Sequence, residues 1–267
     1  MRFGGKLLFD AHEFSPAEFE DRLLWRLAYR RYAVELARRF APQADAMTTV
    51  SWGIAKAWRA FCGVEPAVIT NAPPYQEITP SPVQPDRIRM VHHGGAVRSR
   101  HLERMLELMA LLDERFTLDL ILVPGDAAYI ARLKEQAKPF GNRVRFLDPV
   151  PPAEIPRFIA QYDIGLYMMP DNSLNNRYAL PNKFFEFVQA RLAVAVWPVS
   201  EMPMLAEKFG FGIVAEECTV SSMADSLRKL TCEDVSRLKR KADKAAREFC
   251  YEANFPRWQE VFDRLGL

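Results

Sequence analysis

The sequence has no CxxC pair, and no histidine lies at ligand spacing from any of its four cysteines, Cys62, Cys218, Cys232 and Cys250. That pattern disfavours a zinc site and belongs to reduced thiols in a cytosolic setting. No run approaches the roughly 18–20 apolar residues of a membrane-spanning helix. The opening residues, Met1-Arg2-Phe3-Gly4-Gly5-Lys6, lead almost directly into a strand and do not read as a secretion signal. A net charge of +2 over 267 residues gives no whole-chain argument for nucleic acid. The GxGxxG fingerprint of a dinucleotide fold is absent, and so is the Gly-Lys-Ser/Thr of a P-loop. Internal repeats and low-complexity segments are absent too. What is present, 49% hydrophobic and 26% charged residues, is the composition of an ordinary globular protein with room for one large or two modest domains.

Apolar runs and helical patterns alternate along the chain. Strands are expected at 6–10, 46–50 and 67–70. A strongly basic helix is expected over 16–40, and a helix over 54–61 with Ser51 as its N-cap. The stretch 71–87, with Pro73, Pro74, Pro80, Pro82 and Pro85, has little periodicity and reads as a linker. Beyond it, strands at 88–92, 117–123, 144–147, 164–168, 193–197 and 212–215 alternate with helices up to residue 230. Such alternation predicts a doubly wound parallel sheet. Helices over 234–249 and 255–265 close the chain. The expected domains are 1–75, a linker at 76–87, a second domain at 88–232, and terminal helices at 233–267 that return to the first domain.

Two stretches carry chemistry. The first is His93-Gly94-Gly95-Ala96-Val97-Arg98-Ser99-Arg100, between a strand and a helix. Glycines let backbone approach a ligand, and the helix N-terminus that follows favours an anion. Arg98 and Arg100 add cations. The plainer reading is a βα turn with solvated arginines. The second is Leu180-Pro181-Asn182-Lys183-Phe184-Phe185-Glu186-Phe187. A glutamate in a first helical turn is favourable by itself, but a lysine there opposes the helix dipole unless an anion is present. Together the two stretches suit a nucleotide diphosphate, with cations and helix N-termini on the phosphates and a carboxylate on a hydroxyl pair.

In order and spacing, Gly94-Gly95 with Arg98 and Arg100, Val144–Pro151, Tyr162–Tyr167, Leu180–Phe187 and Ser200–Pro203 resemble the nucleotide-sugar-binding domain of retaining GT-B glycosyltransferases of family four, the glycosyl transferases group one. The resemblance implies an α/β fold of two Rossmann-like, doubly wound parallel-sheet domains, the first of them truncated. It implies transfer of a sugar from a nucleotide-diphosphate sugar to a hydroxyl of a glycan, polysaccharide or lipid-linked acceptor, with retention and without a metal. The donor is a UDP- or GDP-sugar, and no separate cofactor is implied. By the resemblance, Gly94, Gly95, Arg98, Arg100 and Lys183 hold the diphosphate. Glu186, the second glutamate of a Glu-x7-Glu motif, binds the ribose. Backbone near Val150 meets the base, and the N–H groups of Ala179 and Leu180 meet sugar or phosphate. The first glutamate of that motif is replaced by Tyr178. A weaker resemblance covers residues 1–75, where His12 at a strand end is assigned to the donor sugar; its plainer reading is a histidine at a strand edge.

Three strands before the linker leave a sheet edge that needs covering. The expectation is a truncated chain, a partner chain that completes the sheet, or a naturally reduced domain. The basic helix has two readings as well. Residues 22–39 hold six arginines against one acid, Glu35. Either the helix packs its apolar face on the sheet with a solvated basic face, or it lies on an anionic membrane. The second would place a cytoplasmic chain peripherally at the inner face of the membrane. The rival to an enzyme is a non-catalytic or partner-dependent nucleotide-binding module, favoured by Tyr178 and by the short first domain.

Overall fold

The computed structural model describes residues 5–267; the reading of Met1–Gly4 lies outside them. In chain order the main elements are β1 (Leu8–Ala11), α1 (Leu23–Ala28), α2 (Arg30–Phe40), β2 (Ala46–Thr49), α3 (Trp52–Cys62), β3 (Ala67–Val68), β4 (Ile88–Gly95), α4 (Glu103–Leu111) and β5 (Phe116–Val123). Then follow α5 (Ala127–Ala137), β6 (Val144–Leu147), α6 (Ile155–Ile159), β7 (Ile164–Tyr167), α7 (Leu174–Arg177), α8 (Asn182–Gln189), β8 (Ala193–Val196), α9 (Met202–Phe209), β9 (Gly212–Val214), α10 (Val220–Arg228), α11 (Cys232–Ala245) and α12 (Phe255–Leu265). The chain forms two units. Unit 1 comprises 1–71, 171–180 and 251–267, and unit 2 comprises 72–170 and 181–250.

In unit 1, β1, β2 and β3 form a parallel sheet in that order, with Leu8 opposite Ala46 and Thr48 opposite Ala67. Side chains alternate across a strand. Leu8 and Ala46 therefore meet Val261 and Leu265 of α12, whereas Phe9 and Met47 face Trp58 of α3. Phe14, Trp58 and Phe61 pack edge to face at 5.2–6.0 Å. Ser51 caps α3 through the Ile54 N–H, as expected from sequence. The expected single helix over 16–40 is not continuous. A short 3-10 turn at Ser15–Ala17 is followed by α1 and α2, which meet at Tyr29. Pro16 sits in that first turn, but no proline or glycine announces the break at Tyr29. The start of the segment is held by tertiary bonds instead: Asn175 Oδ1 accepts from the Phe14 N–H, and Glu20 accepts from the Leu174 N–H.

Unit 2 is a six-stranded parallel sheet in the order β6-β5-β4-β7-β8-β9. One face carries the core built from Ile88, Met90, Leu118, Leu120, Leu166 and Ala195 with α4, α5 and α10. On α8, Phe184 and Phe185 meet Phe249, and Phe187 lies edge-on to His93 of β4. Buried charges tie the strands together. The Asp163 carboxylate accepts from the Arg89 backbone N–H at 2.8 Å, from its guanidinium at 3.0 Å and from Lys239 at 3.2 Å. Asp119 takes the Tyr162 hydroxyl at 2.6 Å and the Arg145 guanidinium at 2.8 Å.

The proline-rich stretch has no regular structure but is a strap on unit 2 rather than a free linker. Arg191 donates to the Gln76 carbonyl at 2.6 Å, and Ser81 donates to the Ala160 carbonyl at 2.8 Å. The terminal helices also divide differently from the expectation. α11 belongs to unit 2, where Lys239 reaches Asp163 and Asp243 meets Arg191, and only 251–267 joins unit 1. The segment 171–180, expected inside the second domain, joins unit 1 as well. Polar anchors set far from each residue in sequence decide these assignments, and local pattern does not encode them.

Candidate functional site

The strand order places a reversal at β4. From β4 the chain moves outward through β5 and β6, then returns to β7 on the other side of β4 and proceeds through β8 to β9. In an open parallel sheet a ligand crevice forms outside the carboxyl ends of the strands at such a switch point. The β4–β7 ladder is short, Met90 opposite Ile164 and Val91 opposite Gly165, whereas β4 pairs with β5 as far as Gly95. The last residues of β4, His92 to Gly95, thus run beside β5 alone. His92 bridges to β7 by its side chain, with Nδ1 donating to the Leu166 carbonyl at 2.9 Å and its ring stacked on Tyr167 at 5.9 Å.

α8 is brought over this crevice by close packing. Gly165 in β7 has no side chain, and a Cβ there would stand 2.3 Å from Phe187 Cγ. Phe187 fills that space and pulls the first turns of α8 toward the end of β4. Gln189 fastens the other end, donating to the carbonyls of Ala246 at 2.6 Å and Phe249 at 3.0 Å. Pro181 at the N-cap supplies no side-chain bond, so the first N–H groups of α8 keep their capacity for an anion.

Lys183 occupies that first turn and is buried. Its Nζ lies over the Tyr167 ring at 4.4 Å and has no hydrogen-bond partner. At Gly94 the backbone has φ +120°, and a Cβ would come within 3.0 Å of Lys183 Nζ. Glycine is therefore favoured at 94 by backbone conformation, and its bare Cα leaves room for the Lys183 amine. Arg100 approaches from the turn after β4, with Nη1 3.5 Å from the Gly95 carbonyl. His93 Nε2 is 3.4 Å from Glu186 Oε2 without hydrogen-bond geometry. Gly94, Gly95, Arg100, Lys183 and Glu186 are thus brought together.

The electrostatics of the cluster follow from burial. Lys183 is held well below the usual lysine range, first by desolvation and then by Arg100, with Glu186 acting in the opposite sense. Burial pushes Glu186 up to about 7 against the pull of Lys183. His93 falls to about 3 through burial and then the Lys183 charge, and His92 is depressed for the same reasons. Buried polar groups are normally paired. Here Lys183 Nζ, His92 Nε2 and His93 Nε2 all lack a hydrogen-bond partner around one glycine turn. The Lys183 amine suits an anion, which would restore its charge; neutral His92, with its proton on Nδ1, turns an acceptor toward the crevice.

Other expected residues lie elsewhere. Arg98 is turned to Asp126, with Nε 2.6 Å from Oδ2, and stacks over Tyr129 at 5.2 Å. The carboxylate that caps α5 competes for it more closely than the glycine turn does. Val150 sits half-buried in the loop after β6. The Ala179 N–H is already donated to the Asn176 carbonyl at 3.2 Å, so it is not free for a ligand; Leu180 is buried. Both belong to unit 1, as does His12. His12 is exposed at the end of β1, with Nε2 3.0 Å from Asp10 and Nδ1 3.2 Å from the Asn71 amide. Tyr178 lies against Gly53, where a Cβ would be 2.1 Å from its ring, and packs against the unit 1 core. Three residues of the crevice carry no assigned role at the sequence level: Tyr167, His92 and His93. The only signal was the histidine pair directly before Gly94. Among the described residues no three His, Cys, Asp or Glu side chains converge as a metal site.

No protein-family model and no curated protein matches the chain. Solved structures do. Anabaena HepE in complex with UDP and glucose matches with a TM-score of 0.73 at 18% identity, over 97% of this chain and 71% of that one. WaaG, a glycosyltransferase involved in lipopolysaccharide biosynthesis, gives 0.67 at 15%, over 91% and 72%. Sucrose-phosphate synthase from Thermosynechococcus elongatus gives 0.76 at 12%, over 99% and 69%. At these identities the likeness is one of fold. The two Rossmann-like parallel-sheet units, with three and six strands among the described residues, are those of a GT-B fold.

Proposed function

We propose that the crevice between the end of β4 and the first turn of α8 binds the diphosphate of a nucleotide-diphosphate sugar, and that the chain transfers the sugar to a hydroxyl acceptor with retention, as a member of family four. The observation that carries this reading is the buried amine of Lys183, without a hydrogen-bond partner, beside Gly94 at a helix N-terminus. The fold shared with glycosyltransferases, and a solved relative that holds UDP and glucose, support it.

In this reading the bond between the anomeric carbon and the diphosphate oxygen breaks, and its electron pair leaves with the diphosphate. The acceptor oxygen forms the new bond and gives up its proton to the departing phosphate. Charge develops on the leaving group, where in this reading Lys183, Arg100 and the first N–H groups of α8 would meet it. Preorganised charge of this kind is expected to lower the barrier to such a transfer more than any other single effect. Glu186 accepts from the ribose hydroxyls, which favours its ionised form. Arg98 contributes only by exchanging Asp126 for phosphate. Roles for His12 at the sugar and for backbone near Val150 at the base rest on the resemblance. The acceptor, a glycan or a lipid-linked sugar, rests on it as well.

The test is a thermal-shift panel with UDP, GDP, ADP and CMP, followed by transfer assays with the matching sugar donors. One nucleotide diphosphate should raise the melting temperature of the wild type and not of Lys183→Ala. Normal turnover by a folded Lys183→Ala protein would remove this lysine from the mechanism. Tyr178, packed into unit 1 where the motif has a glutamate, favours a second reading, a nucleotide-binding module without catalysis. Binding without turnover of any donor would select it.

A further inference from the structure

Of the two readings open for the basic segment, packing of the α1 leucines on the sheet is not what the structure has. No residue of α1 is buried, and Leu23, Leu24 and Leu27 are 62%, 72% and 77% exposed. On α2, Tyr32, Leu36 and Phe40, spaced by four and so sharing one stripe, are exposed as well. Single exposed leucines need no explanation, but three within five residues form a patch.

The surroundings of the patch are cationic. Arg22, Arg26, Arg30 and Arg31 interleave with the leucines across the junction of α1 and α2. The side chains of Arg26, Arg30 and Arg31 have no ion pair, hydrogen bond or ring contact among the described residues. These three and Arg38 border an open groove of about 620 Å³ in unit 1, whose lining also includes Phe14, Val34, Phe61 and one acid, Glu20. The one acid inside 22–39 is Glu35.

We propose that α1, the start of α2 and this groove form a docking surface for an anionic phospholipid bilayer. Leu23, Leu24 and Leu27 enter the headgroup–acyl boundary, and Arg22, Arg26, Arg30 and Arg31 meet lipid phosphates. The charge pattern selects this occupant. A protein that covered the leucines would also bury the interleaved guanidinium groups, and each would need an acidic partner. A lipid interface takes both at once, apolar groups below and phosphates at the level of the arginines. The inference does not depend on the reading of the crevice in unit 2.

Co-sedimentation of the full chain with vesicles of phosphatidylcholine alone, or with about a third phosphatidylglycerol, tests it. The expected result is partition into the anionic vesicles only, weakened by salt. Arg26→Glu/Arg30→Glu/Arg31→Glu should lower partition on the order of a hundredfold. Leu23→Ser/Leu24→Ser/Leu27→Ser should lower it at least tenfold. All six side chains are exposed, and unchanged melting of both variants keeps folding out of the comparison. Three results would overturn the proposal. One is equal binding to neutral vesicles, or binding that survives the charge reversal. Another is release by millimolar pyrophosphate with no dependence on the leucines, which would make the groove a free-phosphate site. The third is no partition at all, with a dimer in analytical ultracentrifugation that the leucine variant abolishes.

Discussion

At the scale of single residues the crevice trades stability for binding capacity. Lys183 is ionised in the unfolded chain at neutral pH, and burial holds its folded value well below 10.5. A depressed lysine weakens the fold below its unfolded pKa. Lys183→Met should therefore melt higher than wild type at pH 7 without ligand, by about 2–4 °C for each kcal/mol recovered, while losing nucleotide binding. A lower melting temperature would show that the ammonium is satisfied as it stands. Glu186 works in the opposite sense. Its folded value is raised from 4.5 to about 7, so its favourable contribution is complete below 4.5 and is lost as pH rises through about 7. Compared with Glu186→Gln, wild type should lose at most about 3 kcal/mol between pH 4.5 and 8, measured by urea denaturation across pH. A flat difference would place Glu186 at an ordinary carboxylate value.

At the scale of elements, the position of α8 depends on one missing side chain. Gly165→Ala would put a methyl group 2.3 Å from Phe187 Cγ. Overpacking of this kind costs about 1–3 kcal/mol. Because Phe187 fixes the turn that carries Lys183 and Glu186, nucleotide affinity should fall at least tenfold as well. Phe187→Leu in the same chain should return much of the loss, measured by calorimetric titration. Failure of that rescue would mean that α8 is positioned from its Gln189 end. The elements themselves were legible in sequence. The apolar runs from β4 to β9 and the helices between them form as the pattern predicts, because both faces of a parallel sheet demand apolar strands. The break-up of the expected 16–40 helix was not legible, since tertiary bonds to Asn175 and from Leu174 hold its start and no local signal marks the junction of α1 and α2.

At the scale of the whole molecule the chain passes between its units several times, and its last return to unit 1 has a buried polar anchor. Asn254 accepts from the Thr70 N–H at 3.2 Å and donates to the Thr70 carbonyl at 3.0 Å. Asn254→Ala leaves both backbone groups short of a partner, which costs about 1–3 kcal/mol. Hydrogen exchange at Thr70 should quicken accordingly, while the core of unit 2 keeps its protection. Unchanged exchange at Thr70 would show that the apolar contacts of Val261 and Leu265 suffice to hold α12. Among the described residues no helix is long and apolar enough to cross a membrane.

By itself the sequence determined the α/β class, the alternation of unit 2, and the pairing of a glycine turn with a lysine and a glutamate at a helix start. Each of these is local, because periodicity, a bare backbone position and a charge against a dipole can be read from neighbours in the chain. Only the tertiary structure decided that Lys183 stands without a hydrogen-bond partner over Tyr167, that Arg98 belongs to Asp126, that 171–180 and 251–267 complete unit 1, and that the leucines of α1 face outward. Those outcomes depend on burial and on competition among partners far apart in sequence, and such partners become neighbours only when the chain has folded.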